Sequence, residues 1–290
     1  MQLNVEAIIQ ALEDSGLGQY KEAISSWIYP TAELLLEPVP DTSIPIAGSK
    51  IGGCPDLAED TTWPTWKDYH MTFIAQINLA ECPSQLSLPS SGLLSFFYTA
   101  EAMYEGDFDF YKDPGTCRVI YIRADQFHLL SRQTIPECLH VDARMRPNRI
   151  SFKTNLSVPP SESAYLESLG LGWNGNMEDF KKYWGTFLPQ WRKDGCLHRL
   201  MGHPDQIQGD MQLHCQTLYE QHGWSGRDTP GMPEQKAQAA LKWRLLLQID
   251  SEEDKTGISW GDAGRIYFWI HEDDLASLCF DRVVCEMQCT

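Results

Sequence analysis

Apolar and polar positions recur along the chain in one arrangement, twice. Phe73–Asn78 (FIAQIN) and Leu245–Asp250 (LLLQID) carry bulk on both faces of an extended segment, with a single amide, Gln76 or Gln248, set among it. Gly92–Tyr98 (GLLSFFY) and Gly264–Ile270 (GRIYFWI) follow, and Gln precedes Gly by 16 residues in each case. A Gly-x-Pro-Asp turn stands upstream of both: Gly53 to Asp56 with Pro55, and Gly202 to Asp205 with Pro204. Three matched features in the same order point to an internal duplication. Strict alternation puts Phe73, Ala75 and Ile77 on one face, as it does Leu245, Leu247 and Ile249, with Gln76 and Gln248 on the other. Both faces are apolar, so these read as central strands covered on both sides.

Around the two copies the pattern changes period. Val5, Ile8, Ile9 and Leu12 mark one face of a helix over 4–13 that Gly16 stops, and a second short helix runs from about 20 to 27. Residues 32–39 read as a strand closed by Pro38 and Pro40. Gly52 and Gly53 allow the positive φ of a tight turn. Trp63 and Trp66 pin a loop at 61–66, and 101–114 form an acidic loop before a strand at 118–122. Further on, Ser161 caps a helix to about 171, Gly172–Gly175 breaks it, and Asn176 caps another to about 188. Helices are expected over 209–222 and 234–243, separated by a loop at 223–233, with a last strand over 282–287.

The expected fold is α+β: two related β-rich halves, about 31–125 and 196–290, packed across a pseudo-twofold junction. Residues 1–30 form a helical cap, and a helical connection spans 126–195. At 290 residues the chain can bury a large core without staples. Its nine cysteines are odd in number, scattered and free of Cys-x-x-Cys spacing, and no leader precedes them. The natural expectation is a reduced, cytoplasmic compartment. A formal charge of −17 argues against nucleic acid and anionic membranes, and leaves an unidentified protein or small molecule as partner. No apolar run is long enough to span a bilayer.

A buried amide needs partners, so each Gln either ties down its own Gly-x-Pro-Asp turn or faces a ligand in a cleft shared by the two halves. Trp260-Gly261-Asp262-x-Gly264 reads as a tight connection: Asp262 accepts backbone N–H bonds and Trp260 closes the turn, the alternative being a carboxylate exposed for chemistry. His198, His203 and His214 are weak metal candidates, with Cys196, Asp205, Asp210 and Cys215 nearby. Asp210 and His214 would share a helix face at i, i+4. Asp250, Glu252 and Asp254 start like a calcium loop, but Lys255 and Gly261 break the pattern. Cys54, after two glycines, invites a nucleophile reading without a Cys/His pair to support it. Phosphate-cradling glycine motifs are absent, and no cofactor is expected.

IGGCPDL, FIAQINL, LPSSGLLSFFY, LMGHPDQIQ, LLLQIDS and WGDAGRIYFWI together resemble the YwqG-like family, over about 49–287. The resemblance implies a bacterial, intracellular, duplicated α+β protein and assigns it no activity. Leu57-Ala58 stand where that family usually has a second Pro. Two functional classes follow. One is a binding or interaction protein using the junction cleft or the Trp-rich loops, with an acidic surface suited to basic partners. The other is an enzyme, of which a metal-assisted hydrolase is one form, built from Asp56, Gln76, Asp205, Gln248 and Asp262 with His203.

Overall fold

The computed structural model describes residues 4–107, 115–172, 175–192, 195–224 and 233–290. The tip of the acidic loop (108–114), the centre of the 172–175 break (173–174) and most of the 223–233 loop (225–232) lie outside the described residues. One sheet of ten strands organises the rest. In chain order these are β1 (Tyr29–Pro38), β2 (Lys50–Ile51), β3 (Thr72–Asn78), β4 (Leu93–Tyr98), β5 (Cys117–Ile122), β6 (Asn148–Ser157), β7 (Arg199–Leu200), β8 (Trp243–Asp250), β9 (Arg265–His271) and β10 (Val284–Gln288). The spatial order is β5-β4-β3-β2-β6-β1-β7-β8-β9-β10, antiparallel throughout. The long β1/β6 pair stands at the centre, with full register from Tyr29 opposite Ser157 to Pro38 opposite Asn148. The sheet curls until its edges approach, where the Cys117 thiol on β5 donates to the carbonyl of Val283 beside β10 (3.4 Å). The large core inside it draws on both halves: Phe96 packs edge-on against Phe268 and Tyr98 against Trp260.

Strict alternation does not survive along β3 and β8. A β-bulge falls between Phe73 and Ala75, and another between Leu245 and Leu247. A bulge adds a residue to one strand and resets which side chains point where. Phe73 therefore joins an outer cluster with Leu57, Trp66 and Met71, while Ile74, Ala75 and Ile77 all belong to the inner core. On β8, Leu245 packs outward with Trp243, Trp269 and Cys215 of the helix Gln212–Gln221, and Leu246, Leu247 and Ile249 pack inward.

The segment expected as a helical connection over 126–195 also supplies the central strand β6 and the short strand Leu130–Arg132, which pairs with Asp56–Ala58. The β6 sequence NRISFKTNLS alternates apolar Ile150, Phe152 and Leu156 with polar neighbours, because its outer face is partly solvated. Of the helices there, Ala164–Ser168 is capped by Ser163 rather than Ser161, and Met177–Lys182 is capped by Asn176, whose side chain accepts from Asp179 N (3.1 Å). These helices and the N-terminal pair Val5–Asp14 and Lys21–Ser26 enclose a second core around Ile8, Leu12, Tyr165 and Phe187. The helix expected to run to Trp243 ends at Ala240, since Trp243 opens β8.

Candidate functional site

Each Gly-x-Pro-Asp turn leaves its strand through two consecutive residues in the left-handed region: Gly52 (φ 66°) and Gly53 (φ 74°), then Met201 (φ 59°) and Gly202 (φ 80°). That conformation suits glycine, and Met201 is the exception. The turns are held alike. Asp56 N–H donates to Gln76 Oε1 (3.0 Å) and Asp205 N–H to Gln248 Oε1 (2.9 Å). Gln76 Nε2 donates to the Gly48 carbonyl and to Asp56 Oδ2; Gln248 Nε2 donates to the Leu197 carbonyl and to Asp205 Oδ2. Both amides are fully buried and pointed at their own turns. Gly202 abuts Thr31 and Ser157, whereas Gly52 abuts Met145 and Arg146 next to Asn148. The turns thus sit near opposite ends of a ten-residue ladder, on the order of 30 Å long. A single junction cleft holding both amides is not what this topology builds.

What lies over the two turns differs. Asp56 is fully buried; Arg132 reaches its Oδ1 at 2.9 Å, and Ala47 N–H donates to Oδ2 (2.9 Å). Lys50, also buried, spans Asp41 (2.8 Å) and the Cys54 carbonyl, and burial pushes its ammonium pKa down. The first turn is filled by the protein itself. At the second, Arg199 takes the place of Lys50 and pairs with Asp205 Oδ2 (2.7 Å). Beyond it opens a cleft of about 420 Å³, whose lining includes Asp205, Arg199, Arg265, Glu162, Trp184 and Trp191. Arg265 is fixed by Asp250 (2.9 Å) and by the Asp205 carbonyl (2.8 Å), which also accepts from Tyr267 Oη (2.9 Å). His203 closes the floor: its ring stacks on Tyr29 (centroids 4.9 Å apart), and Nε2 donates to the Trp27 carbonyl (2.7 Å). Burial drives its pKa down to about 3, so the imidazole is neutral.

Residues 49–289 match a domain of unknown function, DUF1963. The chain belongs to the DUF1963 family. A comparison with curated proteins finds no match. The DUF1963 match covers both turns, both Gln strands and all of the cleft lining except Thr290, and it begins after β1, the strand against which the second turn packs. No described helix is long and apolar enough to cross a membrane.

The other candidates in this DUF1963 chain fall apart spatially. Asp56 and Asp205 have separate partners, and Asp262 is exposed, its carboxylate making no bond to its turn among the described residues. Its backbone carbonyl accepts from Thr290 instead. Trp260 lies wholly inside the core, and Gly264 is required because a Cβ there would meet the Gln288 carbonyl at 2.2 Å. Gly261 has φ 56°. Asp210 precedes the helix Gln212–Gln221 and caps it, accepting from Gln212 N and Leu213 N, so it does not share a helix face with His214. His214 Nδ1 meets Glu286, whose pKa is raised by burial.

His198, His203 and His214 thus have different partners. His198 instead meets Cys196 (3.6 Å) and Glu252 (2.9 Å), the one group of three potential ligand atoms within 4.8 Å among the described residues. Asp250 N–H donates to His198 Nδ1 (3.2 Å), so Nε2 carries the proton that faces Glu252; ligation through Nε2 needs the opposite tautomer. Burial raises the Cys54 thiol pKa, contrary to what a nucleophile needs. Arg132, Arg199, Arg265, Trp184 and Trp191 were not singled out by sequence; the aligned pair Lys50 and Arg199, three residues before the turn glycine in each copy, was the available signal.

Proposed function

We propose that this protein binds a small molecule in the cleft above its second Gly-x-Pro-Asp turn, acting as a binding protein rather than an enzyme. One observation carries the reading: two turns built alike are finished differently, the first plugged by Arg132 and Lys50, the second opening on a cleft of ligand size with fixed polar groups and aromatic walls. An origin by duplication belongs to the same proposal. It is supported by the strand order symmetric about β1/β6 and by registers that repeat, with Gln76 opposite Ser95 and Gln248 opposite Tyr267. So do a closer kinship with YwqG-like proteins and a cytoplasmic setting, for which nine free thiols speak.

The test is a fragment screen by ligand-observed NMR on the intact chain and on Ser161→Trp, a substitution that fills the cleft from its lining. Hits that bind the natural chain and disappear with Ser161→Trp are expected. Hits that persist unchanged in that variant, or a screen without hits, would sink the proposal.

A further inference from the structure

If the cleft is the ligand site proposed above, its donors say what the ligand carries. Trp191 and Arg199 line both the cleft and a smaller pocket beside it, and Trp191 Nε1 and Arg199 Nε are buried with no hydrogen-bond acceptor among the described residues. Buried donors of this kind are normally satisfied, by protein, water or ligand. Arg199 cannot swing away to find an acceptor, because its Nη2 is fixed on Asp205 (2.7 Å). Arg192, at the rim, is exposed and has no ion pair among the described residues. Of the arginines in the lining, Arg199 is paired with Asp205 and Arg265 with Asp250, so Arg192 is the one whose charge stays available at the rim. The neighbouring wall is aromatic: Trp184 is 56% exposed and borders both the cleft and an adjoining groove of about 370 Å³.

We infer that the ligand is a small molecule bearing an oxyanion, a carboxylate or a phosphate, attached to a flat ring. The oxyanion accepts from Trp191 Nε1, the unpartnered Nε of Arg199 and Arg192, as charge-assisted hydrogen bonds that a pre-set guanidinium makes well. The ring lies on the Trp184 indole and extends toward the second groove.

Three probes separate the parts: benzoate, its neutral isostere benzamide, and inorganic phosphate. Each is titrated into the intact chain, Arg192→Ala, Trp184→Ala and Ser161→Trp, read by calorimetry and tryptophan fluorescence. Arg192 and Trp184 are exposed, so both variants are expected to fold. The inference predicts that benzoate binds at least tenfold tighter than benzamide and that Arg192→Ala removes most of that difference. Trp184→Ala should weaken benzoate and leave phosphate unchanged, and Ser161→Trp should abolish all binding. Equal binding of benzoate and benzamide that Ser161→Trp abolishes would overturn the oxyanion while leaving the cleft as a ligand site. Binding that survives Ser161→Trp would overturn both. Phosphate binding alone, without benzoate, would remove the flat ring, and silence from both oxyanions would refute the inference outright.

Discussion

A single amide determines the shape of each turn. Gln76 satisfies the Asp56 N–H, the Gly48 carbonyl and one Asp56 oxygen, and all three lie out of reach of water. Truncation to Ala orphans the Asp56 N–H and the Gly48 carbonyl, at about 1–3 kcal/mol for each, whereas the Asp56 oxygen keeps Ala47 and Arg132. Gln76→Ala and Gln248→Ala should therefore each shift urea unfolding by several kcal/mol, and a loss under about 1 kcal/mol would show that water replaces the amide. Backbone geometry is as strict. A Cβ on Gly52 would stand 2.3 Å from the Arg146 carbonyl, so Gly52→Ala must displace backbone, and it should yield little folded protein by circular dichroism. Both Gln residues and both turns were legible in the sequence because they repeat at fixed spacing. Arg132 was not: it reaches Asp56 across 76 residues, and no local pattern marks such a partner.

At the scale of elements, the two copied strand pairs were legible from their apolar runs, and their bulges were not, because a bulge leaves composition unchanged and alters only register. Strand β6 was hidden for another reason. It lies in the stretch with no repeat partner, and its half-solvated face dilutes the apolar signal that made β3 and β8 stand out. The site suffered the same fate, since the aromatic wall of Trp184 and Trp191 comes from this stretch. The wall is supported by the second core, where Leu12 is 1% exposed among Tyr165, Tyr183 and Phe187. Leu12→Ala should cost about 2–5 kcal/mol, the range for emptying a buried leucine site. Because this core is separate from the one inside the sheet, native-state hydrogen exchange should quicken in the helices at 5–26 and 164–187 while β3 and β8 stay protected. Uniform quickening everywhere would instead mean that the two cores unfold as one unit.

Across the whole molecule two electrostatic effects oppose each other as the pH falls. A net charge of −17 makes the native state repel itself, and protonating carboxylates relieves this. Buried histidine acts in the other direction. The ordinary imidazole pKa is 6.5, and burial holds His203 near 3, with the pKa values of His222 and His271 also lowered by burial. Between pH 6.5 and 3 the unfolded chain takes up a proton that folded His203 refuses, so stability is complete above 6.5 and falls with pH across that window. By pH 5 the loss from His203 alone is about 2 kcal/mol. Glu252 adds a separate, lower limb: its hydrogen bond to His198 depresses its pKa to about 2 from 4.5, so the stability it contributes is present above 4.5 and disappears as pH falls toward 2. Salt distinguishes the two effects, since at about 0.5 M the Debye length is only ~4 Å and surface repulsion is screened, whereas a buried neutral imidazole is not. Denaturant midpoints at pH 7 and pH 5 in 0.5 M salt should show a clear loss for the natural chain and a much smaller loss for His203→Gln, which cannot titrate. Equal losses in the two chains would mean that the floor of the cleft admits water, and with it a protonated His203, a second positive charge for the ligand to meet.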